Sequence, residues 1–136
     1  MAGEDPSRFT LPLTIQPSDI DELGHVNNGV YLRWAQEAAI AHWRARAPQE
    51  MIAAYVWVVT RHEIDYRAQL LPGDVIEAHT WVAPAPRGPL WTRFVAIRKI
   101  GAAKPAAELK SDWCLLNAAT RRPLRVPPEI PAIFAP

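Results

Sequence analysis

Phe9, Leu11, Leu13 and Ile15 alternate with Thr10, Pro12 and Thr14, the two-residue period of a strand with one buried face. Pro12 has no N–H to give a neighbour, so this strand is expected at a sheet edge or a bulge. The period then changes. From Asn28 to Ala47, the residues Tyr31, Trp34, Ala35, Ala38, Ala41, His42 and Ala45 recur three and four apart. This spacing predicts one long helix, capped by Asn27 or Asn28 and stopped by Pro48. Ile40 and Trp43 fall off the main apolar stripe, which calls for cover on more than one side. Four strand-rich stretches follow: Tyr55 to Arg67, Val75 to Val82, Leu90 to Ile100 and Ala106 to Asn117. Turn-forming segments at Leu71 to Asp74, Pro84 to Pro89 and Gly101 to Pro105 divide them. One strand, one long helix and a run of strands predict an α+β fold, an antiparallel β-sheet wrapped around one long central α-helix. The residues after Arg122 include Pro123, Pro127, Pro128, Pro131 and Pro136, and predict an extended tail along the surface from about 123 to 136. The chain 1–136 reads as one domain without internal repeats.

Composition narrows the classes of function. Of 136 residues, 49% are hydrophobic and 21% charged, enough apolar side chain for a sizeable core. The 15 basic and 14 acidic residues nearly cancel, so no charge block argues for nucleic acid or an anionic membrane as a partner. The longest apolar run, Met51 to Val59, is too short to span a bilayer. The polar, acidic start from Met1 to Asp5 is unlike a signal segment. Cys114 is the only cysteine, which excludes an intrachain disulfide and any multi-thiolate metal site. A cytoplasmic location is the corresponding expectation.

The chemistry-bearing residues gather just before the predicted helix, in Asp21-Glu22-Leu23-Gly24-His25-Val26-Asn27-Asn28-Gly29-Val30-Tyr31. A helix start carries unpaired N–H groups and a partial positive charge, suited to polarising a carbonyl. Asp21 would be the complementary base or nucleophile, or merely close a turn. His25 either orients substrate, stabilises charge or bonds within the turn. Asn27 and Asn28 double as helix caps. Asp19 reads as a turn residue, Arg33 and Glu37 as a helical ion pair, and Tyr31 and Trp34 as packing residues. His62 reads as bonded within the sheet and Cys114 as strand packing.

The segment Asp-x-Asp-x-x-Gly-His-Val-Asn-Asn, spanning Asp19 to Asn28 ahead of a long helix, resembles the hotdog-fold acyl-CoA thioesterases of the 4-hydroxybenzoyl-CoA thioesterase type. Trp34 to Ala38, Glu63-Ile64-Asp65-Tyr66, Pro72-Gly73-Asp74, Trp113 to Thr120 and Arg121-Arg122-Pro123 extend the resemblance. It implies hydrolysis of a thioester to a free acid and coenzyme A, with no metal or organic cofactor. It also implies Asp21 and His25 as catalytic residues, with Gly24, Asn27, Asn28 and Tyr31 around the substrate. His25-Val26-Asn27-Asn28 departs from the aromatic turn of the 4-hydroxybenzoyl branch and is similar to plant acyl-carrier-protein thioesterases, which keeps an acyl-carrier protein open as leaving group. Subunits of this family pair sheet edge to sheet edge, implying a homodimer or homotetramer with acyl pockets between subunits.

Coenzyme A phosphates need basic partners, for which Arg87, Arg93, Arg98, Lys99, Arg121 and Arg122 are candidates. The six tryptophans are expected mostly in the core. Three other functions compete. A hotdog enoyl-CoA hydratase would carry Asp-x-Asn-Pro-x-His, which this segment lacks. A metal enzyme would need Asp19, Asp21 and His25 to converge. A non-catalytic acyl-CoA binding protein would keep the fold without the chemistry.

Overall fold

The computed structural model describes residues 5–136. Met1 to Glu4, most of the polar start described above, lie outside the described residues. β1 (Arg8–Leu13) leads through a 3-10 turn at Pro17–Asp19 into α1 (Asn28–Arg46) and a short α2 (Gln49–Ala54). β2 (Tyr55–Tyr66), β3 (Ile76–Val82), β4 (Leu90–Lys99) and β5 (Ala107–Asn117) follow, and α3 (Glu129–Phe134) ends the chain. All five strands form one antiparallel sheet in the order β1-β3-β4-β5-β2.

The two-residue period holds on β1, where Phe9, Leu11 and Leu13 turn inward while Pro12 lies outward opposite Glu77. On α1 the predicted stripe is largely the buried one: Tyr31, Trp34, Ala35, Ala38 and His42 are buried together with Ala39, whereas Ala45 is exposed. Small residues at 35 and 38 let the helix lie close to the sheet. There it packs Val26, Tyr31 and Trp34 with Ile76, Ala78, Val95, Ile97 and Leu109. β2 changes faces halfway. A register shift between Val59 and Arg61 moves the residues paired with the buried side of β5 from Ile64 and His62 to Val59, Trp57 and Tyr55.

The tail corrects the sequence reading. It is not extended along the surface throughout, because Glu129–Phe134 is helical and Val126, Ile130 and Phe134 are buried. Leu124 N–H donates to Leu115 O and Val126 N–H to Gly88 O, each at 2.9 Å, which ties the segment to the sheet. Its side chains close a second core against Trp91, Leu115, Trp43, Tyr55 and Trp57. Prolines are compatible with this helix because its first N–H groups have no intrahelical partner to lose.

His42 links α1 to the two edges of this second core. It is 0% exposed, with Nε2 2.8 Å from Pro6 O and Nδ1 2.9 Å from Arg93 Nη1. Arginine can only donate, so Nδ1 accepts and the proton sits on Nε2. Burial first, then the Arg93 charge, lowers the His42 pKa from 6.5 to about 4. A lowered histidine pKa means the unfolded chain takes the proton first. This contribution to stability is therefore complete above pH 6.5 and is lost as pH falls toward 4. The expected loss is about 3 kcal/mol. Urea unfolding at successive pH values should show that decline, and His42→Gln should flatten it.

Candidate active site

The loop before α1 is closed by its own backbone. Ile20 bridges Val26, Asp21 N–H donates to His25 O at 3.0 Å, and Gly24 N–H donates to Asp21 O at 3.0 Å. Gly24 makes this turn with φ +82°, a left-handed conformation that side chains resist. Within it, Asp21 Oδ1 accepts from Leu23 N–H at 2.9 Å, which fixes a half-buried carboxylate on the turn. Val26 N–H donates to Leu70 O at 2.8 Å, anchoring the loop to the segment that joins β2 to β3.

Asn27 is the cap of α1, its Oδ1 accepting from Gly29 N–H at 2.9 Å. Asn28 is the first helical residue, so its N–H has no acceptor within the helix. Asp19 is only 1% exposed and is committed elsewhere. Its Oδ1 lies 2.9 Å from Arg33 Nη2 and its Oδ2 accepts from Gln16 N–H at 2.8 Å. Arg33 also reaches Glu37 at 3.5 Å, the helical pair expected from the sequence. Among the described residues, no group of three or more His, Cys, Asp or Glu side chains is placed to hold a metal ion.

A shallow cavity of about 180 Å³ opens at the helix start, lined by His25, Val26, Asn28, Tyr31, Tyr66 and Arg67, among others. Thus His25, Asn28 and Tyr31 meet at one cavity, while Asp21, Gly24 and Asn27 build the adjoining loop and cap. Tyr66, at the end of β2, donates from its hydroxyl to Asn28 O at 2.9 Å and sets its ring edge-on to Tyr31, 5.3 Å between centroids. Burial raises the pKa of both phenols, so both stay protonated and able to donate at neutral pH. The role of Tyr66 was missed in the sequence, although Glu63-Ile64-Asp65-Tyr66 carried part of the resemblance. The basic residue at this cavity is Arg67, held by Glu108 at 3.1 Å, and none of the six candidates named for phosphate lines it.

A second cavity, of about 260 Å³ and mostly apolar, lies toward the other end of α1 between Trp43, Tyr55, Trp57, Trp91 and Phe134. Four of the six tryptophans line it; Trp34 and Trp91 are buried outright, and Trp43 and Trp57 pack half-buried against the second core, so most belong to the core as expected. Arg93 belongs to this wall and is buried, so it is no surface partner for a phosphate. Fifteen residues of helix separate Asn28 from Trp43, roughly 22 Å at 1.5 Å per residue. His62 and Cys114 are as expected, with His62 Nδ1 2.6 Å from Ser111 Oγ and Cys114 buried with a free thiol.

Comparison with known proteins agrees with this architecture. The model of the thioesterase-like superfamily matches residues 15–134. A palmitoyl-acyl carrier protein thioesterase from Arabidopsis thaliana is 29% identical over 75 residues, covering 55% of this chain and 18% of its own length. The chain therefore spans less than a fifth of that relative. A Thermus thermophilus thioesterase crystallised with coenzyme A and zinc has the same fold, with TM-score 0.80, 24% identity, and coverage of 92% of this chain and 95% of its own. A 1,4-dihydroxy-2-naphthoyl-CoA thioesterase from Synechocystis superposes with TM-score 0.78 at 17% identity, over 93% and 95% of the two chains. With a five-stranded antiparallel sheet around α1 and a family match over nearly its whole length, the chain has the hotdog fold and belongs to the thioesterase-like superfamily.

Proposed function

We propose that the protein hydrolyses an acyl-CoA to a free carboxylic acid and coenzyme A, with Asp21 as the catalytic carboxylate. The observation that carries this reading is the self-closed loop that holds Asp21 on the turn leading into the open start of α1. Asp21 supplies the attack on the thioester carbonyl, directly as nucleophile or as base toward water. The new C–O bond pushes negative charge onto the carbonyl oxygen, where the N–H groups at the start of α1 stabilise it. Collapse of the intermediate breaks the C–S bond and releases the thiolate, leaving the free acid where water attacked, or an acyl anhydride on Asp21 that a water then hydrolyses. His25 offers a further hydrogen-bonding group to the substrate at the same cavity, where Tyr66, its hydroxyl proton given to Asn28 O, braces the helix start. No metal or organic cofactor takes part in this scheme.

We also propose that the working unit is at least a homodimer joined through β2. The two sheet edges differ: β1 has six residues including Pro12, whereas β2 has twelve and no proline. The longer edge is the better template for a second copy. Antiparallel pairing of β2 with its own copy about a two-fold axis sets the Tyr55 end of one protomer beside the Tyr66 end of the other. The aromatic cavity of one subunit then faces the helix start of its partner, which one chain alone keeps roughly 20 Å apart. A coenzyme A complex of a structural neighbour supports the choice of leaving group.

The test is thiol release from short, long and aromatic acyl-CoAs, run with and without excess chelator, beside sedimentation of the same sample. Release that survives chelation, from a species of twice the chain mass, is the expected result. No thiol from any substrate would overturn the hydrolytic reading, and a monomer at working concentration would overturn the assembly.

A further inference from the structure

Arg93 is the least ordinary charge in the molecule. It stands on β4 in phase with Trp91, Val95 and Ile97, facing α1, and is only 7% exposed. A guanidinium this deep is normally matched by a carboxylate. Here its Nη1 donates to two neutral acceptors, His42 Nδ1 and Thr80 Oγ1, both at 2.9 Å. Among the described residues, Nε and Nη2 make no hydrogen bond and no carboxylate lies within ion-pair distance. Phe134 lies under the guanidinium at 5.8 Å and fixes its plane.

The surroundings point the same way. Arg93 lines the aromatic cavity, whose wall holds a second arginine, Arg44, and neither Asp nor Glu. Trp113, on the same wall, has an indole N–H that is buried without a partner. Unmatched groups at this cavity are thus donors, while its body is built from tryptophan, tyrosine and phenylalanine rings. At about 260 Å³ within one chain, the cavity has the size of a ring with a short substituent.

We infer that this cavity receives the far end of the acyl group and selects one with a compact, ring-sized body ending in a carboxylate. The substrate class is a monothioester of a short dicarboxylic acid. The guanidinium face of Arg93 grips the distal carboxylate through its two unused nitrogens, and the tryptophans enclose the ring. This inference rests on the proposed hydrolysis and pairing, because the carbonyl end of the acyl group must lie at the partner's helix start.

The test compares 3-phenylpropanoyl-CoA with its para-carboxy counterpart, using wild type, Arg93→Met and Arg93→Lys. Wild type should favour the carboxylated thioester by about 100-fold in kcat/KM, as a site built around a polar group discriminates against its absence. Arg93→Met should lose that ratio and Arg93→Lys recover part of it. No preference in wild type, or one left intact in folded Arg93→Met, overturns the inference. Should Arg93→Met fail to fold, tryptophan emission of wild type decides: benzoate should quench it saturably and neutral benzamide should not. Equal responses, or none, overturn the site. Saturable benzoate quenching in a protein that cleaves no thioester would sink the hydrolytic reading and leave the carboxylate site standing.

Discussion

Asp21→Asn is expected to lower kcat for thiol release by about 10² to 10⁴-fold, the usual worth of a positioned acid or base. The substitution isolates chemistry from folding. The asparagine side-chain oxygen can still accept the Leu23 N–H that Asp21 Oδ1 accepts at 2.9 Å, so the turn and its Gly24 geometry are retained. The backbone bonds that close the loop, from Asp21 N–H to His25 O and from Gly24 N–H to Asp21 O, do not involve the carboxylate at all. KM should therefore move little, since the loss falls on the transition state rather than on binding. Equal kcat values for a folded Asp21→Asn and wild type would remove Asp21 from the mechanism.

Phe134→Ala is expected to cost about 3 to 5 kcal/mol of stability, the range for deleting a large buried ring. Phe134 is 3% exposed and touches three other rings: His42 at 4.7 Å, Trp91 at 5.5 Å and Trp43 at 6.4 Å between centroids. The cavity it would leave opens onto the aromatic pocket, so relaxation is limited by rings already packed against one another. Urea unfolding at pH 7 measures the loss. A change below about 1 kcal/mol would show the C-terminal segment to be a surface strap rather than a wall of the core.

Much of the fold was legible because its periods are clean. Phe9 to Ile15 alternate, the 28–47 stripe repeats at helical spacing, and the four later strands lie between strong turn signals. Gly24, Asn27 and Asn28 were readable as turn and cap for the same local reasons. What failed was non-local or without a period. The strand start at Tyr55 was foreseen but the short helix α2 before it was not, because the run from Met51 to Val59 is uniformly apolar and carries no helical period. The face change between Val59 and Arg61 depends on the register with β5, which no spacing within β2 reveals. Tyr66 reaches Asn28 from 38 residues away. Arg93 did leave a signal: it occupies an inward phase between Trp91 and Val95, where a solvated arginine would be out of place.

The unequal sheet edges also bear on what the protein avoids becoming. The proposed joining through β2 would use up the long open edge of both copies and leave β1, with its Pro12, at each end of the doubled sheet. A third copy would then meet only the short, proline-interrupted edge, and growth would stop at a closed pair instead of running on into a fibre. In such a pair a single residue on the shortest strand would act as a terminator of polymerisation, and its replacement by a β-forming residue would expose that end to continued stacking.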